Sequence, residues 1–93
     1  MLFQINMTFR AENKVALLKR ATEPKGIQIP PGMKVMNMWS SVNGHKVTTF
    51  AEVENPAAIM SFADSWDDLA DIDSYPVITS EESVKIHLAN SKK

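Results

Sequence analysis

Few side chains in this sequence could do acid–base, nucleophilic or metal chemistry, and their spacing narrows the field further. Cysteine is absent, which excludes thiolate nucleophiles, thiolate metal sites and disulfides. The two histidines, His45 and His87, lie far apart in sequence, and neither has a second ligand at zinc-binding spacing. His45 adjoins a predicted turn. A general base or ligand is one reading of it, and a solvated turn residue is the plainer one. His87 follows Val84 and precedes Leu88 on a predicted helix, a pattern of helix-edge or subunit packing rather than catalysis. Asp64, Asp67, Asp68 and Asp71 recur at i, i+3, i+4 and i+7, so a continued helix would align four carboxylates. Oxygen ligands of that kind suit Ca²⁺ or Mg²⁺. The Gly-containing loop that wraps calcium is missing, and the stripe reads as a solvated acidic face. No Ser-His-Asp arrangement, phosphate loop or nucleotide fingerprint occurs.

The remaining candidates are aromatic and polar residues that strand alternation gathers on one face. Trp39 and Phe50 are the candidate pocket walls or dimer contacts. Asn6 and Thr48 supply orienting polar groups. Glu52 is the one acid on that face in the expected register, which makes it the conceivable general base. Lys46, on an alternate position, is its expected counter-ion. Trp66 ends an apolar helical stripe and belongs to the core, and Tyr75 lies on the last strand.

These positions depend on the elements that carry them. Residues 2–9 alternate, with Phe3, Ile5, Met7 and Phe9 on one face and Leu2, Gln4, Asn6 and Thr8 on the other. A helix is predicted from Ala11 to Glu23, burying Val15, Leu18 and Thr22, and stopped by Pro24 and Gly26. Pro30-Pro31-Gly32 marks a loop. Met33–Val42 and His45–Val53 are β-prone runs around Asn43-Gly44, a strong hairpin signal. A two-residue turn would pair Val42 with His45, Ser40 with Val47, Met38 with Thr49, Met36 with Ala51 and Lys34 with Val53. Met36, Met38, Val42, Val47, Ala51 and Val53 then form the core face, with Val35 and Trp39 on the other.

Asn55-Pro56 opens a second helix, in which Ile59, Phe62, Ala63 and Trp66 share a stripe. That helix is expected to reach Trp66 or Leu69. A fourth strand is expected over 71–79, on an edge because it contains Pro76. Thr79-x-x-Glu82 opens a last helix. The order β-α-β-β-α-β with a terminal helix is the α+β, ferredoxin-like arrangement with a four-stranded antiparallel sheet. Its first and third strands are central, and its helices leave one sheet face bare. Trp39 and Phe50 on that bare face predict a sheet-to-sheet homodimer.

The 93 residues make a single domain, 1–93, with 44% hydrophobic and 23% charged residues, an ordinary globular composition. No apolar run approaches the roughly 20 residues of a membrane helix. The start of the chain lacks the long apolar stretch of a secretory signal, so the expected location is cytoplasmic. A net charge of −1 hides an uneven distribution: residues 1–51 hold seven Lys/Arg and two acids, and residues 52–84 hold nine acids and no Lys/Arg. A sequence pI near 6.1 and no basic–aromatic interleaving argue against nucleic acid as a partner. In this fold the basic first helix sits beside the acidic second one, which explains the asymmetry without a metal or nucleic acid.

Several short motifs in order carry a resemblance. They are Phe9-Arg10-x-Glu12, Pro31-x-Met33-Lys34 leading to Trp39, Phe50-Ala51-x-Val53-Glu54-x-Pro56-Ala57-Ala58, Trp66-x-Asp68-Leu69 and Pro76-Val77. Together they resemble an uncharacterised domain-of-unknown-function family, number 3303, within the dimeric α/β-barrel group. That resemblance implies a fold and a homodimer, with no established chemistry. Members often carry His beside the strand-two Trp, where this chain has Ser40, so no role for that His passes over. Haem-degrading and quinol monooxygenases of the wider group look similar in topology. Some use an Asn on strand one, a Trp on strand three and a His on the second helix. Asn6 answers the first, but strand three has no Trp and residues 56–70 have no His. The expectation is a protein of unknown function, a small dimer binding a small molecule at the sheet, with no cofactor. The alternative is a non-catalytic structural or regulatory module, and a cofactor-independent or haem-linked monooxygenase-like enzyme ranks below both.

Overall fold

Strand β1, Leu2–Phe9, alternates apolar and polar side chains, and burial follows the alternation: Ile5, Met7 and Phe9 are buried. The computed structural model describes residues 1–24 and 26–91. β1 is followed by a 3-10 turn, Ala11–Asn13, and helix α1, Lys14–Thr22. Strands β2, Met33–Ser40, and β3, Lys46–Val53, form the hairpin. Helix α2 spans Ala57–Asp64, strand β4 spans Ala70–Pro76 and helix α3 spans Ser80–Ser91. The antiparallel sheet runs β2-β3-β1-β4. The ferredoxin-like expectation therefore holds: β1 and β3 are central, and Pro76 ends an edge strand that needs no donor there.

α1 and α2 cover one face of the sheet. Ile59, Phe62 and Trp66 pack on Ile5, Met7, Phe9, Ala51 and Val53 in one core cluster. Burying each large side chain contributes roughly 1.5–3 kcal/mol. Asn55 accepts from the Ala57 N–H at 3.0 Å through its side-chain oxygen, satisfying one free donor at the start of α2. Thr79 does the same for Glu82 at 3.1 Å, opening α3.

Four expectations change. The hairpin keeps the Ser40–Val47 and Met38–Thr49 pairs, but a bulge between Val35 and Asn37 leaves Met36 unpaired and exposed. Beyond it Val35 pairs with Ala51 and Met33 with Val53. The expected register would have put the Lys34 ammonium in the core opposite Val53, a large desolvation cost. The extra residue turns Met33 inward instead. At the hairpin tip Val42 is fully exposed, not in the core. The connection there has four residues: Ser41 N–H donates to the Lys46 carbonyl at 2.8 Å, and only Gly44 has a positive φ, of 78°. A two-residue type I′ turn would need both central residues there.

In α1 the packed residues are Leu17 and Ala21, while Val15 and Leu18 are exposed. The preceding 3-10 turn, with 3.0 residues per turn, shifts the phase of the helix that follows it. Finally, α2 ends at Asp64 rather than at Trp66 or Leu69, and β4 covers 70–76 rather than 71–79. The four-carboxylate helical stripe therefore does not form.

Candidate functional site

The face of the sheet away from α1 and α2 is a grid set by strand pairing. Residues two apart on a strand are spaced about 7 Å on the same face. One row reads Lys46, Thr8, Asp71 across β3, β1 and β4. The next reads Trp39, Thr48, Asn6, Asp73 across all four strands. The third reads Asn37, Phe50, Gln4, Tyr75, and the fourth Lys34, Glu52, Leu2.

The first two rows enclose a concavity of about 490 Å³ lined by Asn6, Thr8, Lys46, Thr48, Asp71 and Asp73. That volume lies in the range of small-molecule sites, about 300–1,000 Å³. Its floor offers two carboxylates, one ammonium, two hydroxyls and an amide. Asn6 is held by its neighbours: Gln4 Nε2 donates to Asn6 Oδ1 at 3.1 Å, and Asn6 Nδ2 donates to Tyr75 Oη at 2.9 Å. Such a relay fixes the amide orientation and leaves the Tyr75 hydroxyl proton available to a ligand. Trp39 is 66% exposed, and its indole N–H donates to Asn37 Oδ1 at 3.2 Å. An ordered indole lying in water is a surface ready to be covered.

Of the five residues singled out in the sequence, Asn6 and Thr48 lie in the concavity. Trp39 and Phe50 lie on the same face, beside it, towards β2. Glu52 lies at the far end of β3 and accepts from the Met1 ammonium at 2.6 Å, so it is remote from Lys46. It is not the one acid of this face: Asp71 and Asp73 share it. Their placement had a signal in the run Asp71-Ile72-Asp73-Ser74-Tyr75, where Ile72 turned to the core sends Asp71, Asp73 and Tyr75 outwards. His45 contributes to the turn through its backbone, its carbonyl accepting from the Phe9 N–H at 2.7 Å. His87 stands exposed on α3. Among the described residues no group of three His, Asp or Glu is placed to hold a metal ion.

Asp68, another member of the acidic run, ties α1 to the turn that follows α2 on the other face. Arg20 of α1 grips it with two bonds of 2.7 and 2.8 Å, donates to the Ser65 carbonyl at 2.9 Å and lies 5.4 Å from the centre of the Trp66 ring. The hydrogen bond from Arg20 holds the Asp68 carboxyl below its ordinary range, outweighing desolvation. The bond to Asp68 likewise raises Arg20. The basic helix α1 is thus met by one bidentate pair with Asp68, which lies beyond the end of α2; α2 itself holds a single acid, Asp64, so it is not the acidic helix expected from the sequence.

No helix among the described residues is long and apolar enough to cross a membrane. No curated protein matches the chain. Among solved structures, Rv0793 from Mycobacterium tuberculosis is similar at a TM-score of 0.45 and 10% identity, over 85% of this chain and 95% of that one. A Deinococcus radiodurans protein named as a candidate antibiotic biosynthesis monooxygenase is similar at 0.38 and 11%, over 86% and 95%. The model of one family, Domain of unknown function (DUF3303), matches residues 1–91, and the chain belongs to that family.

Proposed function

We propose that this protein is a homodimer that binds a small polar molecule between two sheets packed through their open faces. The observation that supports it most is the grid itself. One face carries a concave polar patch and, beside it, the exposed Trp39 and the half-buried Phe50. The aromatic side suits contact with a second copy, since exposed Trp at the centre of an interface is a frequent energetic anchor. The polar side suits a ligand with hydroxyl or cationic groups, which Asp71, Asp73, Asn6 and Thr48 would orient. Lys46 adds a donor at the rim.

Self-association read by size-exclusion with light scattering tests this. Trp39→Ala should weaken dimerisation by roughly tenfold or more, because a two-fold interface loses the side chain twice. Unchanged association would remove Trp39 from the interface. A non-catalytic interaction module is the second reading, and the 66% exposure of Trp39, outside the concavity, favours it. A dry sheet-to-sheet contact without retained ligand would be its signature.

A further inference from the structure

We infer that α3 is an exchanged arm, seated in a second copy of this chain in the apolar crevice between α1 and the sheet. The inference rests on the homodimer proposed above and says how its two copies are held together. α3 has twelve residues and buries none. Isolated helices shorter than about 12–15 residues are marginal in water, so a helix of this length needs a packed face. Val84, Ile86 and Leu88 are exposed at 55, 51 and 58%. Val84 and Leu88, four apart, share one side.

The same chain contains the matching concavity. A crevice of about 180 Å³, almost wholly apolar, is lined by Leu17, Leu18, Ile27, Met38, Phe62 and Trp66, among others. An apolar void of roughly 150 Å³ accepts a benzene-sized group, so one or two aliphatic side chains fill this one. Val84 and Leu88 are of that size. Charge agrees as well. α3 begins with Glu81, paired with Lys85 of its own helix at 3.6 Å, and Glu82, whereas α1, which walls the crevice, carries Lys14 and Lys19.

Topology favours a second copy over the chain's own helix. α3 leaves from β4, one edge of the sheet, at the end where Val77 N–H donates to the Leu2 carbonyl. The crevice lies by Met38 and Ser40 of β2, the opposite edge, beside Met7, Phe9 and Val47 at the other end of the strands. Edge to edge is three strand spacings, about 14 Å, and the strand length adds about 13–20 Å. Residues 77–79 reach about 10 Å and α3 adds about 12 Å from Ser80 to Leu88, so the chain's own helix would arrive only along a straight diagonal across the face that α1 and α2 cover. A partner can bring its β2 edge beside β4 directly.

The chain is free of cysteine, so two introduced thiols report the contact without interference. Full-length Leu18→Cys and Leu88→Cys chains are refolded together and treated with a short bis-maleimide. The inference expects a linked pair of unlike chains as the main product, and at least a tenfold loss of self-association in Leu88→Asp. A Leu18→Cys/Leu88→Cys double variant that links within one chain would overturn it. So would unlinked chains in a protein that light scattering shows to be dimeric, an outcome that leaves the sheet-to-sheet dimer standing. A protein monomeric throughout would remove both readings.

Discussion

Thr49 is fully buried on β3, opposite Ile5, and its hydroxyl has no hydrogen-bond partner among the described residues. Taking a hydroxyl out of water without a partner costs about 1–3 kcal/mol. Val has nearly the same shape and no such group. Thr49→Val should therefore raise the unfolding free energy by about 1 kcal/mol in a urea titration, and a loss of stability would show that the hydroxyl is satisfied. The open face shows the opposite economy: Asn6 stands in a relay from Gln4 to Tyr75. Polar residues that alternate with the core positions of β1 are placed outwards by the pleat, and that much is legible from alternation alone.

Between elements, Arg20–Asp68 ties α1 to the exit of α2. α1 itself buries no residue, so this pair and the Leu17/Ala21 contact hold it. The hydrogen bond from Arg20 depresses the Asp68 carboxyl from its ordinary value of 3.8. Folding then favours the ionised form. The contribution is present in full above the ordinary carboxylate range and fades as the pH falls through the depressed folded value. Asp68→Asn should lower the urea midpoint at neutral pH, and its difference from the unmodified chain should close in strong acid. A difference constant down to low pH would contradict the linkage. Element order, the central strands, the Asn55 cap and the Ile59/Phe62/Trp66 stripe were all readable, because each rests on local chemistry or a strong period. The Met36 bulge was not, although Lys34 opposite Val53 was its warning. The turn of α1 towards Leu17 was not readable either, because three residues of 3-10 helix shift the phase without a compositional mark. Of the site, Asn6 and Thr48 followed from alternation. Asp71 was hidden by its reading as the end of a helical stripe, although the helix stops at Asp64, and Asp73 lay in the expected fourth strand without being singled out.

At the scale of the molecule, three surfaces ask for cover: the grid of the open face, α3 and the crevice beneath α1. The chain measures 53 × 30 × 18 Å, elongated for its size, and its exposed aliphatics include Val15, Leu18, Val84, Ile86 and Leu88. In the proposed dimer, two copies joined through the open faces, each lending α3 to the other, would cover all three surfaces. The polar concavity of each copy then faces the other across the two-fold axis. The ligand would lie near the centre of this proposed dimer, beside Asn6 and Thr48 of both copies. Native mass spectrometry of the full-length protein purified from its own cells tests that claim most directly. The account predicts a species of twice the 10.4 kDa chain mass carrying a retained small molecule; a monomer, or a dimer without added mass, would contradict it.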